Sequence, residues 1–194
     1  MAYYTDEELK GLGLGACGSN VRLSTRAALH NAKNIRIGDH VRIDDYCVLS
    51  AGVGGIDIGN FVHVAVFVSL IGAGRIYLQD FCGLSARVSV YSSNDDYSGA
   101  HLTGPNVPGE FTDVTHAPVI IGRHAIIGAG SVILPGMTLE DGVAVGAMTL
   151  VNKPCRAFGI YLGTPARRVG DRKQTLLELE RQFLGRLDSA KPPA

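Results

Sequence analysis

The sequence predicts an all-β solenoid, and three features of the chain support this fold class. Six aliphatic residues recur every six positions between residues 121 and 156, and a mostly small residue follows four positions after each. The same register returns upstream in trios of aliphatic residues. A period of six fits neither an amphipathic helix nor a simple alternating strand. It fits a parallel β-helix of hexapeptide repeats, in which each of three flat faces takes one hexapeptide.

A short helix is expected over residues 5 to 10, before the solenoid begins. Thr5 and Glu8 have the spacing of a capping box, and Gly11 and Gly13 are expected to end the helix. Residues 1–16 are therefore interpreted as an N-terminal helix and lead-in.

The solenoid itself is expected over residues 17–170, in about six coils. The inward aliphatic residues are predicted to be Leu23, Leu29, Ile37, Ile43, Leu49, Ile58, Val64, Leu70, Leu78, Leu84, Val90, Ile121, Ile127, Ile133, Leu139, Val145 and Val151. The second, mostly small positions are predicted to be Val41, Cys47, Val53, Val62, Val68, Gly74, Cys82, Val88, Ala125, Ser131, Met137, Val143, Thr149 and Cys155. Successive upstream trios begin 21 and 20 residues apart, which predicts a bulge of two or three residues at one corner per coil.

The register is lost between Val90 and Val119, so residues 91–118 are expected to form one long excursion loop. A loop of this length inside a compact solenoid is usually functional or disordered. Three Tyr or Phe and two His make this segment too aromatic for a linker. We expect an ordered excursion that reaches toward a site or a neighbouring subunit.

The last segment, residues 171–194, is expected to be a C-terminal helix and tail. Helical spacing of Leu176, Leu179, Phe183 and Leu187 predicts a helix from about Asp171 to Leu187 that packs against its own β-helix. The end of the chain, from residue 188 onward, is expected to be disordered.

Composition limits the classes of function. The chain has 18 basic and 18 acidic residues, and this zero net charge argues against nucleic-acid binding as the main activity. An acidic N-terminus and the absence of an apolar run of membrane-spanning length predict a cytoplasmic protein without a membrane span. The four cysteines lack metal-site spacing, and three of them fall in the small-residue positions, so we expect buried structural cysteines.

The hexads, the excursion and the sequence Gly163-Thr164-Pro165-Ala166-Arg167 occur in that order, and together they resemble the hexapeptide-repeat acyltransferases. This resemblance implies a left-handed parallel β-helix, a homotrimer with active sites at the subunit interfaces, and acyl-CoA as co-substrate. The segments YTDEEL, IRIGDHVRIDDYCVLSAG, NDDYSG and DGVAVGAM are most similar to N-acyltransferases that act on dTDP-linked 4-amino-4,6-dideoxysugars. The resemblance therefore implies transfer of an acetyl or other short acyl group to the amine of such a nucleotide sugar.

A CoA site is expected at one corner of the prism. Ala129 and Ala147 are each the second residue after an inward aliphatic residue, and they lie 18 residues apart. They should stack in successive coils, where small side chains leave the backbone open to a pantetheine arm. The resemblance adds Asn152, Lys153 and Arg167 as CoA-contacting residues.

The resemblance also supplies the candidate catalytic residues. O-acetyltransferases of the family carry a general-base histidine at the start of the excursion, where this chain reads SSNDDYSG. In the aminosugar enzymes acidic residues contact the substrate amine, and these carry over to Asp95 and Asp141, with Ser85 associated with the same site. A carboxylate suffices for an amine, which is a nucleophile once neutral, but is a weak base for a hydroxyl. An Asx turn that opens the loop is the alternative interpretation of Asp95 and Asp96.

Three other interpretations remain at this point. The first is an O-acetyltransferase of a sugar or small xenobiotic that uses His101 or His116 as general base. The second is a non-catalytic solenoid that acts as an oligomerising scaffold. The third is a γ-carbonic-anhydrase-like protein, which would need three zinc-binding histidines. No histidine pair has the required spacing, so no metal site is predicted.

Overall fold

The computed structural model describes residues 1–189, so the tail from residue 190 onward lies outside the described part of the chain. Helix α1 (Asp6–Gly11) opens the chain, with Thr5 as its N-cap. The Thr5 hydroxyl accepts the Glu8 N–H at 3.3 Å, and the Glu8 carboxylate accepts the Thr5 N–H at 2.7 Å. The predicted capping box is therefore confirmed.

Three parallel sheets form the faces of a prism, and each of six coils contributes one strand to each face. Coils 1 to 3 are β1 (Ala16–Cys17), β2 (Arg22–Leu23), β3 (Ala28–His30), β4 (Ile35–Ile37), β5 (Arg42–Ile43), β6 (Val48–Ala51), β7 (Ile56–Ile58), β8 (His63–Val64) and β9 (Ser69–Gly72). Coil 4 is β10 (Ile76–Leu78), β11 (Gly83–Leu84) and β12 (Ser89–Tyr91), and the excursion adds β13 (Ser93–Asn94) and β14 (Thr115–His116). Coils 5 and 6 are β15 (Val119–Ile121), β16 (Ile126–Ile127), β17 (Val132–Ile133), β18 (Thr138–Leu139), β19 (Ala144–Val145) and β20 (Leu150–Val151).

The strands of each coil form the first, second and third face in chain order. We call the bend between the first and second faces the first corner, and the bend between the second and third faces the second corner. The third corner leads into the next coil and carries the excursion. An incomplete seventh turn follows, with a bridge at Cys155, then β21 (Gly159–Leu162) and the antiparallel β22 (Arg167–Asp171). The predicted fold class, a parallel β-helix with one excursion and a C-terminal helix, is confirmed.

The core consists of the residues that the sixfold repeat selects. All predicted inward aliphatic residues are buried except Leu29, which is partly buried. The first face buries a second aliphatic residue in coils 2 to 5, which the repeat does not predict, at Ile35, Ile56, Ile76 and Val119. Burial of Cys47, Cys82 and Cys155 raises the pKa of their thiols to about 11, about 12 and about 11. All four cysteines are free, and the three in small-residue positions are buried as predicted.

One predicted small-residue position is wrong. Val53 is 94% exposed, because the extra residues of the long coils lie at the third corner. The position four residues after Leu49 therefore lies at the tip of the turn, outside the prism. At the next residue of the same turn, a Cβ on Gly54 would collide with the backbone of Arg75, so this turn is in close contact with the turn of the next coil.

Helix α2 (Thr175–Ser189) begins four residues later than predicted, because residues 167–171 pair with β21 as a strand. It packs against the first corner, where His40, Phe61, Phe81 and His124 form one continuous ring stack with centroids 4.7, 4.8 and 5.0 Å apart. Phe183 meets Phe61 and Phe81 edge-on, and Glu180 contacts His124 at 2.9 Å and the Arg123 guanidinium. The predicted packing of this helix on its own β-helix is confirmed. Leu179, which the predicted apolar stripe includes, is 58% exposed.

Candidate active site

The second corner of the upper coils presents a column of small, exposed residues. Ala129 and Ala147 lie in successive coils, since Ile127 pairs with Val145 in parallel register and the Met148 N–H donates to the Ala129 carbonyl at 2.9 Å. Both alanines are exposed. Within residues 1–189 neither alanine N–H donates a hydrogen bond. This corner therefore offers two amide donors, about one strand spacing apart, without side chains in front of them.

Ser85 lies at the same corner, one coil below Ala129. Its N–H donates to the Ile127 carbonyl at 2.9 Å, and the neighbouring Ala86 carbonyl accepts the Gly130 N–H at 3.0 Å. The side chain is half-buried, and its hydroxyl has no hydrogen-bond partner among the described residues. Ala86 thus continues the alanine column downward, and Ser85 places a free hydroxyl beside it, level with Gly128 of the coil above.

The excursion leaves the third corner through a short antiparallel ladder. Ser93 pairs with His116, and Asn94 pairs with Thr115. The Ser93 hydroxyl accepts the Ala73 N–H at 2.7 Å and lies 2.8 Å from Nδ1 of His116. His116 is therefore part of the short ladder that joins the two ends of the excursion loop.

The two adjacent aspartates of the loop have different environments. Asp96 accepts the N–H of Ser98 at 2.7 Å, the Ser98 hydroxyl at 3.0 Å and the N–H of His101 at 2.9 Å. The Ser98 hydrogen bonds, followed by those of His101, hold the pKa of Asp96 well below its usual range. Asp96 makes the turn and also contacts the His101 ring at 3.4 Å, whereas the exposed Asp95 carboxylate has no partner among the described residues.

Asp141 lies at the first corner, where its carboxylate contacts the backbone of the coil below. Its carboxylate accepts the N–H of Arg123 at 2.9 Å. Lower coils repeat this contact, since the Asp39, Asn60 and Asp80 side chains accept the N–H groups of Ser19, Asp39 and Asn60 at 2.6, 2.8 and 2.7 Å. Asp141 thus belongs to a ladder of corner hydrogen bonds.

Asn152 and Lys153 are exposed at the third corner of coil 6, directly after the buried Val151. Arg167 opens β22 beside Leu162 and is also exposed. In the described chain neither Lys153 nor Arg167 forms a salt bridge. Two unpaired cations therefore lie at the upper end of the prism.

The predicted residues do not meet within one chain. Ser85, Ala129 and Ala147 share the second corner, Asp95 belongs to the loop on the third corner, and Asp141 lies at the first corner. A single copy of the chain therefore assembles the alanine column and Ser85 but brings neither carboxylate to it.

A polar cluster that was not predicted from the sequence lies lower on the second corner. Asp44 is 3% exposed and contacts Arg42 at 2.7 Å and His63 at 2.9 Å. Elsewhere in coils 1 to 6 this corner position holds only Ser, Ala or Gly: Ser24, Ala65, Ser85, Gly128 and Gly146. One aspartate in a column of small residues was the available signal.

No group of three or more His, Cys, Asp or Glu side chains among residues 1–189 is arranged to hold a metal ion. Neither helix in the same range has the length and apolarity needed to cross a bilayer.

Comparison with known proteins gives close relatives over nearly the whole chain. The chain is 46% identical over 183 residues to the dTDP-4-amino-4,6-dideoxy-D-glucose acyltransferase of Escherichia coli, covering 94% of this chain and 95% of the relative. No protein-family model matches. The N-acyltransferase AntD from Bacillus cereus, solved with dTDP and 3-hydroxybutyryl-CoA, is 40% identical with a TM-score of 0.92, over 96% of this chain and 98% of AntD. AntD variants at one serine and at one aspartate, ten residues apart, have also been solved with dTDP and CoA.

Proposed function

This chain belongs to the CoA-dependent hexapeptide-repeat acyltransferases, in the family of the Escherichia coli dTDP-4-amino-4,6-dideoxy-D-glucose acyltransferase, and we propose that it acylates the amine of a dTDP-linked 4-amino-4,6-dideoxysugar. The donor is acetyl-CoA or another short acyl-CoA. AntD supports both substrate classes, since its complexes hold dTDP or dTDP-4-amino-4,6-dideoxyglucose together with CoA or 3-hydroxybutyryl-CoA.

The CoA arm is assigned to the second corner of the upper coils. Pantetheine contains two amide groups, and the unpaired N–H groups of Ala129 and Ala147 are suitable donors for its carbonyls. The exposed, unpaired Lys153 and Arg167 are assigned to the phosphates of CoA, and Asn152 to a further polar contact. A donor column with cations at its upper end fits a long co-substrate with a charged head.

The reaction joins the sugar nitrogen to the acyl carbon and breaks the C–S bond of the thioester. The neutral amine supplies the electron pair and loses one proton, while the thiolate leaves with the electron pair of the C–S bond and takes up a proton. An amine with a pKa of about 8 is partly neutral at physiological pH. The protein therefore needs to orient the amine and accept or relay a proton, without deprotonating a hydroxyl.

Asp95 is the residue we assign to the amine. The observation that carries the proposal is that its exposed carboxylate has no hydrogen-bond or salt-bridge partner among the described residues. The histidines of the same loop are held elsewhere, His116 by Ser93 and His101 by Asp96. Ser85 is assigned to the acyl-transfer end of the site because its free hydroxyl lies at the same corner, one coil below and one residue before the alanine column. The spacing of the serine and aspartate varied in AntD, ten residues, equals that of Ser85 and Asp95.

We further propose a homotrimer with active sites between subunits. Ser85 and Asp95 lie at different corners of one chain, so a shared site requires the excursion loop of one copy to reach the second corner of the next. Asp141, at the first corner, is assigned to the same shared site, in addition to its contact with Arg123.

We also propose that residues 17–170, with the excursion 91–118, form the catalytic unit. Residues 1–16 lead into it, and residues 171–194 supply the helix and tail. A cytoplasmic location is proposed because the four free cysteines suit a reducing compartment, where acyl-CoA and nucleotide sugars are available.

The test is the variant Asp95→Asn, assayed with acetyl-CoA and dTDP-4-amino-4,6-dideoxyglucose. We expect kcat/KM for the sugar to fall by about 10² or more, because the amine loses its carboxylate partner. Calorimetry should give an unchanged CoA affinity. The wild-type rate should rise toward alkaline pH with the pKa of the substrate amine.

Asp113→Asn is the matched control, an exposed aspartate of the same loop that should leave turnover unchanged. His101→Ala and His116→Ala should stay within about tenfold of the wild type. Full activity of Asp95→Asn, with collapse of either histidine variant, would contradict the proposal and identify a histidine-dependent O-acetyltransferase.

A further inference from the structure

Gly83 is an outward residue of the second face, and nothing in the fold of one chain explains why it lacks a side chain. It precedes the buried Leu84 in β11 and is itself partly buried. A Cβ on Gly83 would meet no atom within 4 Å, and its backbone has no positive φ. The other glycine in the strands of coils 1 to 6, Gly72, has a φ of 141° and is in close contact with Ser92. Within residues 1–189, neither backbone conformation nor packing therefore requires glycine at position 83.

The absence of this side chain leaves a gap between two larger neighbours. Gly83 pairs in parallel register with His63 of the coil below and with Ile126 of the coil above. Ile126 is 47% exposed, and the side chain of His63 is 50% exposed. The two lie two strand spacings apart, roughly 10 Å. The other five coils all have a side chain at this position: Arg22, Arg42, His63, Ile126 and Ala144. We call the gap over Gly83, with His63 and Ile126 as its walls, the Gly83 notch.

The Gly83 notch opens beside the hydroxyl that we assign to acyl transfer. Alternate residues of a strand lie on the same side, so positions 83 and 85 both face outward, about 6.6 Å apart, while Leu84 between them is buried. The alanine column lies on the other side of Ser85, since Ala86 is the next residue in the chain. A thioester at Ser85 that is delivered along the alanine column therefore has its sulfur toward the corner and its acyl carbons toward Gly83.

We propose that the Gly83 notch holds the acyl chain of the donor, so that Gly83 determines which acyl groups the protein transfers. The assignment rests on the proposed function, because it places the thioester at Ser85. Ile126 gives the notch an apolar upper wall, and the His63 ring, which Asp44 holds at 2.9 Å, forms the lower wall. A space of one missing side chain between two walls suits a short acyl chain that is longer than acetyl, such as butyryl.

Acetyl-CoA and butyryl-CoA test the assignment, by calorimetry without the sugar and by kinetics with it. A valine fills the notch and suits a strand. We expect Gly83→Val to weaken butyryl-CoA binding about tenfold or more relative to acetyl-CoA binding. The ratio of kcat/KM for butyryl-CoA to that for acetyl-CoA should fall by a similar factor, since one methylene in an apolar pocket changes kcat/KM by about 10- to 200-fold.

Gly170→Val is the matched control. Gly170 lies in β22 of the same sheet, and a Cβ there would also meet no atom within 4 Å. This variant should keep the wild-type ratio of the two donors. Melting temperatures check that both valine variants fold, and Gly83→Ala takes the place of Gly83→Val if the latter does not.

Ile126→Ala tests the upper wall in the opposite direction. A shorter side chain extends the notch, so the ratio of kcat/KM for hexanoyl-CoA to that for butyryl-CoA should rise about threefold or more. A role of Ile126 in stability alone would lower the activity with both donors equally and would leave this ratio unchanged.

Four outcomes would overturn the assignment. An unchanged donor ratio in Gly83→Val would leave the notch without an acyl chain, while the acyltransferase proposal would stand. Equal losses with both donors and a raised KM for the nucleotide sugar would place the sugar in the notch instead. A wild type that uses acetyl-CoA but rejects butyryl-CoA by more than about a hundredfold would show that the notch is closed to the chain. A wild type that transfers neither acyl group would place the failure in the proposed function, and this assignment would fall with it.

Discussion

At the scale of single residues, the absence of side-chain atoms decides what can approach the second corner. The alanines at 129 and 147 leave two amide groups open, and the glycines before them leave no room for a Cβ. A Cβ on Gly128 would collide with the backbone N of Ala147, and one on Gly146 would collide with Leu162. The corner is therefore tightly packed within the prism and open toward solvent.

Ala147→Trp should separate co-substrate binding from folding. The indole would extend from an exposed position across the amide donors, so we expect KM for acetyl-CoA to rise about tenfold or more with little change in melting temperature. Val53→Trp is the control, because Val53 is exposed on the third corner and should tolerate the same indole. Unchanged acetyl-CoA kinetics in Ala147→Trp would remove the second corner as the pantetheine path.

Periodicity predicted individual residues well where the repeat sets their environment, and poorly where partners come from distant coils. The spacing of Ala129 and Ala147 was sufficient to predict their stacking. The different roles of Asp95 and Asp96 depend on which carboxylate the turn residues Ser98 and His101 contact, and that is not visible in the sequence. Asp44 was missed for the same reason, since its partner His63 is 19 residues away in the next coil.

At the scale of elements, helix α2 acts as a cover for the aromatic stack of the first corner. Glu180 contacts His124 and Arg123, and Arg123 in turn donates its N–H to Asp141. The helix is therefore coupled to the corner ladder that includes a proposed site residue.

Phe183→Ala should lower the free energy of unfolding by about 1–2 kcal/mol. This is below the full cost of a buried phenylalanine, because Phe183 is 42% exposed, but both edge-on contacts are lost. Leu179→Ala on the same helix should change stability by less than about 0.5 kcal/mol, because Leu179 is mostly exposed. Urea unfolding followed by circular dichroism measures both. Equal losses in the two variants would show that α2 does not depend on the aromatic stack.

Helical spacing predicted that α2 exists and that it packs on the β-helix, but not where it begins. Residues 167–171 have no repeat signal, and they form a strand because β21 offers an open edge. The excursion was predicted as an interruption of the register. Its closure by Ser93–His116 pairing depends on a tertiary contact across more than twenty residues.

At the scale of the whole molecule, a shared site can be tested by mixing two inactive proteins. Ser85→Ala and Asp95→Asn chains, unfolded and refolded together in equal amounts, should recover about one quarter of the wild-type activity. In a random cyclic trimer, that fraction of interfaces pairs an intact serine with an intact aspartate.

Each variant refolded alone is the control and should stay inactive. Light scattering checks that the mixed proteins form trimers. If such trimers recover no activity, both residues serve one subunit's own site.

The two ends of the prism determine whether such molecules stay separate. Stacked coils could grow into fibres, because the unpaired strands of an exposed end coil can pair with another copy of the chain. At the upper end the chain covers all three faces. On the second face β22 runs antiparallel beside β21. On the third face Gly163 and Ala166 form backbone hydrogen bonds with Leu150, and on the first face the Cys155 N–H donates to the Thr138 carbonyl. At the lower end the second face is covered. The Tyr4 N–H donates to the Leu23 carbonyl, and Tyr3 forms an antiparallel β-bridge with Ser24. At the upper end a second copy would therefore meet few free backbone amides in parallel register, so growth of the repeat from that end is blocked.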